Sequence, residues 1–226
     1  MSVPVLIIGK SGSGKSASLR NFKENLGVIN VLGKPFPFKG QPASVNTKNY
    51  NDIKKVIAMS KAKAVVIDDA GYLITDHFMT NHAKTGGGNA VFSLYNDIGD
   101  YFYSLIKYIT ELEEPDKIVY IFMHEDKNDF GDVRPKTIGK LLDEKVCLEG
   151  LFSIVLRCVS DKEKHVFCTQ SNGLDVAKTP IGMFEDFEIP NDLQFVDKTI
   201  REYYGFEQTP ETPKIPQTQK KADVPA

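Results

Sequence analysis

Three features of the sequence predict an α/β domain with a mainly parallel central sheet flanked by helices and a C-terminal antiparallel hairpin. Short apolar runs alternate with helically spaced segments, one long helix has a clear apolar face, and two late strand-like runs are joined by a short polar link. The first run, Val5-Leu6-Ile7-Ile8, is apolar throughout, as a strand buried on both faces requires. Leu19, Phe22 and Leu26 recur at helical spacing, with Gly27 placed to cap that helix. Residues 28–32 read as a second strand, 33–42 as a Pro/Gly/Phe-rich loop, and Ile53, Val56 and Ile57 mark a short helix. The third strand, 64–67, runs into two carboxylates, Asp68 and Asp69. After it a loop holds His77, His82 and Thr85-Gly86-Gly87-Gly88, with both histidines expected to face solvent. Val91, Tyr95, Ile98, Phe102, Leu105, Ile109 and Leu112 then trace one face of the long helix, which assigns its aromatics to core and interface. The fourth strand, 118–123, is closed by His124 and Glu125, and the runs 152–158 and 165–169 form the hairpin. Asn191 or Asp192 caps a last helix carrying Leu193, Val196, Ile200 and Tyr203. Residues 207–226 are too rich in Pro, Thr, Gln and Lys to bury a core, so one domain is expected over 1–206, followed by a disordered tail.

Composition narrows the partners. The 226 residues carry 28 Lys+Arg against 30 Asp+Glu, a formal charge of -2, so any nucleic-acid binding must use a local basic patch. The 3 cysteines form no CxxC pair, which argues against a zinc site and a disulfide framework and fits a reducing cytoplasm. No basic n-region precedes the first strand and no apolar run approaches the ~20 residues that span a bilayer, so neither export nor a membrane is expected.

Gly9-Lys10-Ser11-Gly12-Ser13-Gly14-Lys15-Ser16, followed by Ala17, is a complete Walker A motif set between a strand and a predicted helix. Its glycines let backbone N–H groups converge on phosphate oxygens, and the following helix adds its positive dipole end. Lys15 is expected to reach the β- and γ-phosphates of ATP, and the Ser16 hydroxyl to help hold Mg²⁺. A metal bridging phosphates also needs an acid at the end of a neighbouring strand, and Asp68 meets that description. Asp69 is placed either to polarise an attacking water or to cap the turn. His124 and Glu125 stand at the carboxyl edge of the sheet, where His124 could sense the γ-phosphate.

Together the Walker A loop, the Asp68-Asp69 and His124-Glu125 strand ends, and Val176-Ala177-Lys178-Thr179-Pro180 resemble the RecA-like ATPases encoded by phages, in particular the phage single-strand-annealing ATPases. The resemblance spans residues 3–204 in layout, and Walker A is its specific motif. It implies a Mg²⁺-dependent ATPase of DNA recombination, annealing or replication, a homo-oligomer, and single-stranded DNA and a single-strand-binding protein as partners. It further implies that the strand after Walker B lies beside the P-loop strand, which puts His124 at the sensor position. Lys178 stands where such families carry a basic residue that reaches the neighbouring subunit's γ-phosphate. The sequence departs from the RecA pattern in having no Glu after residues 28–32 and no Arg after Lys178. Asp68-Asp69 instead resembles the Walker B of AAA-type ATPases with Asp for the usual Glu, which leaves the base open between Asp69 and Glu125.

Other classes fit less well. Asp68-Asp69-Ala70-Gly71 matches DxxG, yet the nearest guanine-reading candidate, Asp126-Lys127-Asn128-Asp129, follows the wrong strand and has Asp where Asn is required. A small-molecule kinase gathers arginines on a lid, whereas Arg20, Arg134, Arg157 and Arg201 are scattered. A nucleotide-gated adaptor with negligible turnover is the alternative. For nucleic acid, Lys84, Lys127, Arg134, Lys136 and Lys140 are candidates, offset by Asp126, Asp129 and Asp132, so a contact surface and a solvated loop both stay open.

Overall fold

The computed structural model describes residues 2–139, 141–161 and 164–206; the expected tail and Lys140 lie outside them. Among these residues nine strands make one sheet: β1 (Val3–Gly9), β2 (Leu26–Asn30), β3 (Ala43–Val45), β4 (Ala64–Asp68), β5 (Ile118–Lys127), β6 (Val133–Pro135), β7 (Ile154–Ser160), β8 (His165–Cys168) and β9 (Glu188–Pro190). Their order is β3-β2-β4-β5-β1-β7-β8-β9, with β6 paired to the end of β5. Strands β3 to β7 along this path run parallel, and β8 and β9 add antiparallel. The strand after the Asp68 strand therefore stands beside the P-loop strand, in register from Val3 opposite Ile118 to Gly9 opposite His124.

Alternation along the strands divides the core in two, because successive side chains point to opposite faces. Leu6, Ile8, Ile67 and Ile121 pack with α1 (Tyr50–Met59), α2 (Gly71–Asn81) and α3 (Asn89–Glu111). Val5, Ile7, Val66, Tyr120 and Phe122 pack with Leu19 and with α4 (Leu193–Tyr204) on the other face. Asp192, not Asn191, caps α4, its carboxylate accepting from Gln194 N at 3.0 Å and Phe195 N at 3.5 Å. Asp192→Ala is expected to lose about 1 kcal/mol, seen as a thermal midpoint roughly 2–4 °C lower for a domain of this size. An unchanged midpoint would show that the cap contributes nothing net.

Several expectations are corrected. The helix expected through Leu26 is a 3-10 turn of 6 residues, Ser16–Asn21, because Leu26 and Gly27 are drawn into the sheet opposite Ala64 and Val65. Tertiary pairing here overrides helical spacing. The second strand accordingly starts earlier than expected, and an exposed edge strand, β3, follows the loop. The segment after Asp69 is helical, although Gly71, Ile74 and Thr75 are modest helix formers. Leu73 and Ile74 are driven into the core, which makes His77 half-buried and edge-on to Tyr101 with ring centroids 5.4 Å apart, while His82 is exposed. His124 and Glu125 do not close β5, which continues to Lys127 and turns back through β6. On α3, Phe102 is core but Phe92 is 69% exposed.

Candidate functional site

The Walker A loop leaves β1 at Gly9, between β5 and β7, and turns through Gly12 (φ 77°) and Gly14 (φ 108°), conformations that side-chain-bearing residues rarely adopt. Lys10 and Ser11 are exposed at the loop's crown; Ser13 is buried and Ala17 half-buried. Lys15 is also buried, its ammonium donating to Gly9 O at 2.7 Å and Lys10 O at 2.9 Å. Burial holds that ammonium below the usual lysine range, against the pull of nearby Cys158, Asp69 and Asp68.

The loop is anchored from beneath by the last third of the chain. Ser13 O accepts from the Cys158 thiol at 3.1 Å and from His165 Nδ1 at 2.7 Å, and Asn191 Nδ2 donates to Cys158 Sγ at 3.2 Å. Burial pushes the Cys158 thiol up to about 11, so it stays protonated and can donate. The packing is close: a Cβ on Gly9 would lie 2.5 Å from Cys158 O, and one on Gly14 3.0 Å from His165 Nδ1.

Ser16 and Asp68 come together although 52 residues apart, the hydroxyl donating to Asp68 Oδ1 at 2.9 Å. Burial, then the neighbouring Asp69, pushes the Asp68 carboxyl up to about 6, against the Ser16 bond and Lys15. Asp69 follows with φ 61°, left-handed backbone that Asp tolerates better than most residues. That turn directs its carboxylate between an imidazole and an ammonium: Oδ1 lies 3.5 Å from His124 Nε2 and Oδ2 3.1 Å from Lys34 Nζ. Burial alone would raise the Asp69 carboxyl, but the bonds to His124 and Lys34 prevail and hold it below the usual range. Tyr72 packs edge-on to His124, with ring centroids 5.7 Å apart, and lies under the Lys34 ammonium at 5.3 Å.

Glu125 is the next residue on β5 but faces a different environment. Both its oxygens are held by Arg157, at 2.9 Å from Nε and 3.1 Å from Nη2, and Arg157 Nη1 also donates to Asp175 at 3.2 Å. Lys178 is held by its backbone, in a two-bond bridge with Val155 at 2.8 Å each way. Val155 lies three residues before Cys158, the partner of Gly9, which puts Lys178 about 10 Å below the carboxyl edge along the strand. The structure thus brings Lys15, Ser16, Asp68, Asp69 and His124 together within one subunit and leaves Glu125 and Lys178 outside that group.

Of the basic residues considered for nucleic acid, Lys84, Lys127, Arg134 and Lys136 are exposed. A cavity of about 520 Å³ beside the β5–β6 hairpin is lined, among the described residues, by Lys127, Arg134 and Lys145 together with Asp126, Asp132 and Glu149, which offset one another. Phe130 at the hairpin's turn is 89% exposed. Among the described residues no helix is long and apolar enough to cross a membrane.

Lys34, Arg157, Asp175, His165 and Asn191 are the site residues that sequence reasoning missed. A usable signal existed for His165, since an antiparallel strand following β7 must begin at the edge where the P-loop lies. Nothing local marks Lys34, which sits in the Pro/Gly/Phe-rich loop.

Comparison with curated proteins gives no match. A family model described as AAA domain matches residues 1–181. That match covers most of the chain and agrees with the Walker A loop and with the placing of β5 between the P-loop strand and the Asp68 strand, so the chain belongs to the AAA domain family of nucleotide-binding P-loop ATPases.

Proposed function

We propose that the protein is a Mg²⁺-dependent ATPase of DNA recombination, single-strand annealing or replication, of the kind encoded by phages. The observation that carries the hydrolytic part is the contact of Ser16 with Asp68 at 2.9 Å, with Asp69 as the next residue. Two oxygen ligands suit an ion that completes its shell with phosphate oxygens and water. Bound there, Mg²⁺ would neutralise charge on the β- and γ-phosphates.

The loop's N–H groups and Lys15 hold the phosphates, and Asp69 orients a water in line with the γ-phosphorus. The water oxygen bonds to phosphorus as the bond to the β,γ-bridging oxygen breaks; ADP leaves with the electron pair and Asp69 takes the water's proton. His124, bonded to Asp69 and opposite Gly9, senses the γ-phosphate through that contact. Glu125 is excluded from the base role in this reading, because proton transfer would have to displace Arg157.

The DNA part is supported by the family resemblance and by the β5–β6 hairpin, which continues from His124 to an exposed aromatic. A homo-oligomer is part of the same reading, with Lys178 facing a neighbour. The test is ATP turnover at fixed salt with no polymer, single-stranded DNA, duplex DNA and RNA, using Lys15→Ala as the background control. Turnover should rise severalfold with single-stranded DNA and less with the other polymers. Equal rates in all four conditions would remove the DNA role, and nucleotide binding without turnover would make the protein a nucleotide-gated adaptor.

A further inference from the structure

Lys34 enters the site from the side opposite the P-loop, and its backbone is fixed there. Gly33, at φ 65°, turns the chain after β2, and its N–H donates to Asn30 O at 3.3 Å. The buried Asn30 side chain then donates to Lys34 O at 2.8 Å, while Val31 N donates to Asp68 O at 3.3 Å. These bonds fold the loop over the end of β4, and a lysine at this position reaches Asp69. Its side chain nevertheless remains 59% exposed, so the ion pair adds little to stability and can exchange partners at small cost.

The charge around Asp69 gives that exchange a direction. One buried ammonium, Lys15, faces Asp68 and Asp69, whereas Glu125 is already neutralised by Arg157. A third phosphate adds further negative charge beside Asp69, and charge growing on the γ-phosphoryl group in hydrolysis needs a cation besides Lys15 and the metal. Lys178 lies low on the sheet in its own subunit. Lys34 is already within one carboxylate of the place where that charge develops.

We propose that Lys34 is a cation supplied in cis that reads the γ-phosphate. Without a third phosphate it rests on Asp69; with ATP bound its ammonium moves to a γ-phosphoryl oxygen and frees Asp69 Oδ2 for water. The inference rests on the ATPase reading above and adds the residue that separates ATP from ADP.

The experiment measures equilibrium binding of a non-hydrolysable ATP analogue and of ADP, by displacement of a fluorescent nucleotide, to wild type, Lys34→Ala, Lys34→Arg and Lys15→Ala. Charge-assisted hydrogen bonds of this kind predict that Lys34→Ala weakens the ATP analogue about tenfold to a hundredfold. ADP should stay within about twofold, and Lys34→Arg should keep most of the preference. Lys34→Ala in an Asp69→Asn background separates contact from simple neutralisation of Asp69: a direct contact keeps the loss in that background. Equal shifts for both nucleotides, no shift, or disappearance of the loss with Asp69→Asn would overturn the assignment. If Lys15→Ala binds both nucleotides like wild type, the ATPase reading itself fails; if Lys15→Ala loses them and Lys34→Ala shows no discrimination, only the role of Lys34 falls. A thermal midpoint without nucleotide close to wild type establishes that each variant is folded.

Discussion

Asp69→Asn is expected to bind ATP with near wild-type affinity and to hydrolyse it about a hundred- to ten-thousandfold more slowly, the usual cost of losing a positioned base. The substitution isolates the chemistry because Asn, like Asp, tolerates the left-handed backbone found there (φ 61°), so it adds no strain. The amide keeps the shape and one acceptor for His124 or Lys34 but cannot take a proton. Asp68→Asn should behave differently, weakening Mg²⁺-dependent binding through loss of the charged ligand beside Ser16. Single-turnover rates at saturating nucleotide, set beside equilibrium binding, make the distinction. Full turnover in Asp69→Asn would return the base to Glu125 despite its tie to Arg157.

Arg157→Ala should have the largest effect on stability, a loss of about 3–5 kcal/mol, because it leaves buried carboxylates without their cation. The Glu125 and Asp175 side chains are 3% and 2% exposed, and the hydrogen bond to Glu125 raises Arg157 above the usual arginine range. Urea unfolding would show the loss as a lower midpoint at unchanged slope. Adding Glu125→Gln and Asp175→Asn to Arg157→Ala should recover part of it, since neutral amides cost less to bury unpaired. A loss below about 1 kcal/mol would place the trio with ordinary surface ion pairs.

What the sequence revealed of this site follows from how local each feature is. The Walker A loop is contiguous, and Asp68 is marked by the apolar strand before it, so both could be read directly. The position of β5 beside β1 was implied by family resemblance, and the ladder from Val3 opposite Ile118 to Gly9 opposite His124 agrees with it. The turn at Ser16–Asn21 was misread because Leu26 has helical spacing from Phe22 but a stronger partner in Ala64. Lys34 and Arg157 carry no local mark, since each acquires its role only when the loop after β2 and β7 are brought to one edge; the signal for His165 lay in the hairpin's topology rather than in its neighbours. Glu125 shows the converse case: its place in the sequence suggested chemistry, whereas its contacts suit structure.

The central position of β1 has a consequence for synthesis. Val3–Gly9 is synthesised well before its ladder partners, which are Ile118 to His124 on one side and Ile154 to Cys158 on the other. At the usual rates of chain elongation, on the order of ten seconds pass before the first of these partners exists. Through that interval Val5-Leu6-Ile7-Ile8, uncharged and strongly strand-forming, has no native edge to join and is the segment most exposed to intermolecular pairing. The anchors of the P-loop, Cys158, His165 and Asn191, arrive later still, so the loop is made long before the groups that hold it in its working form.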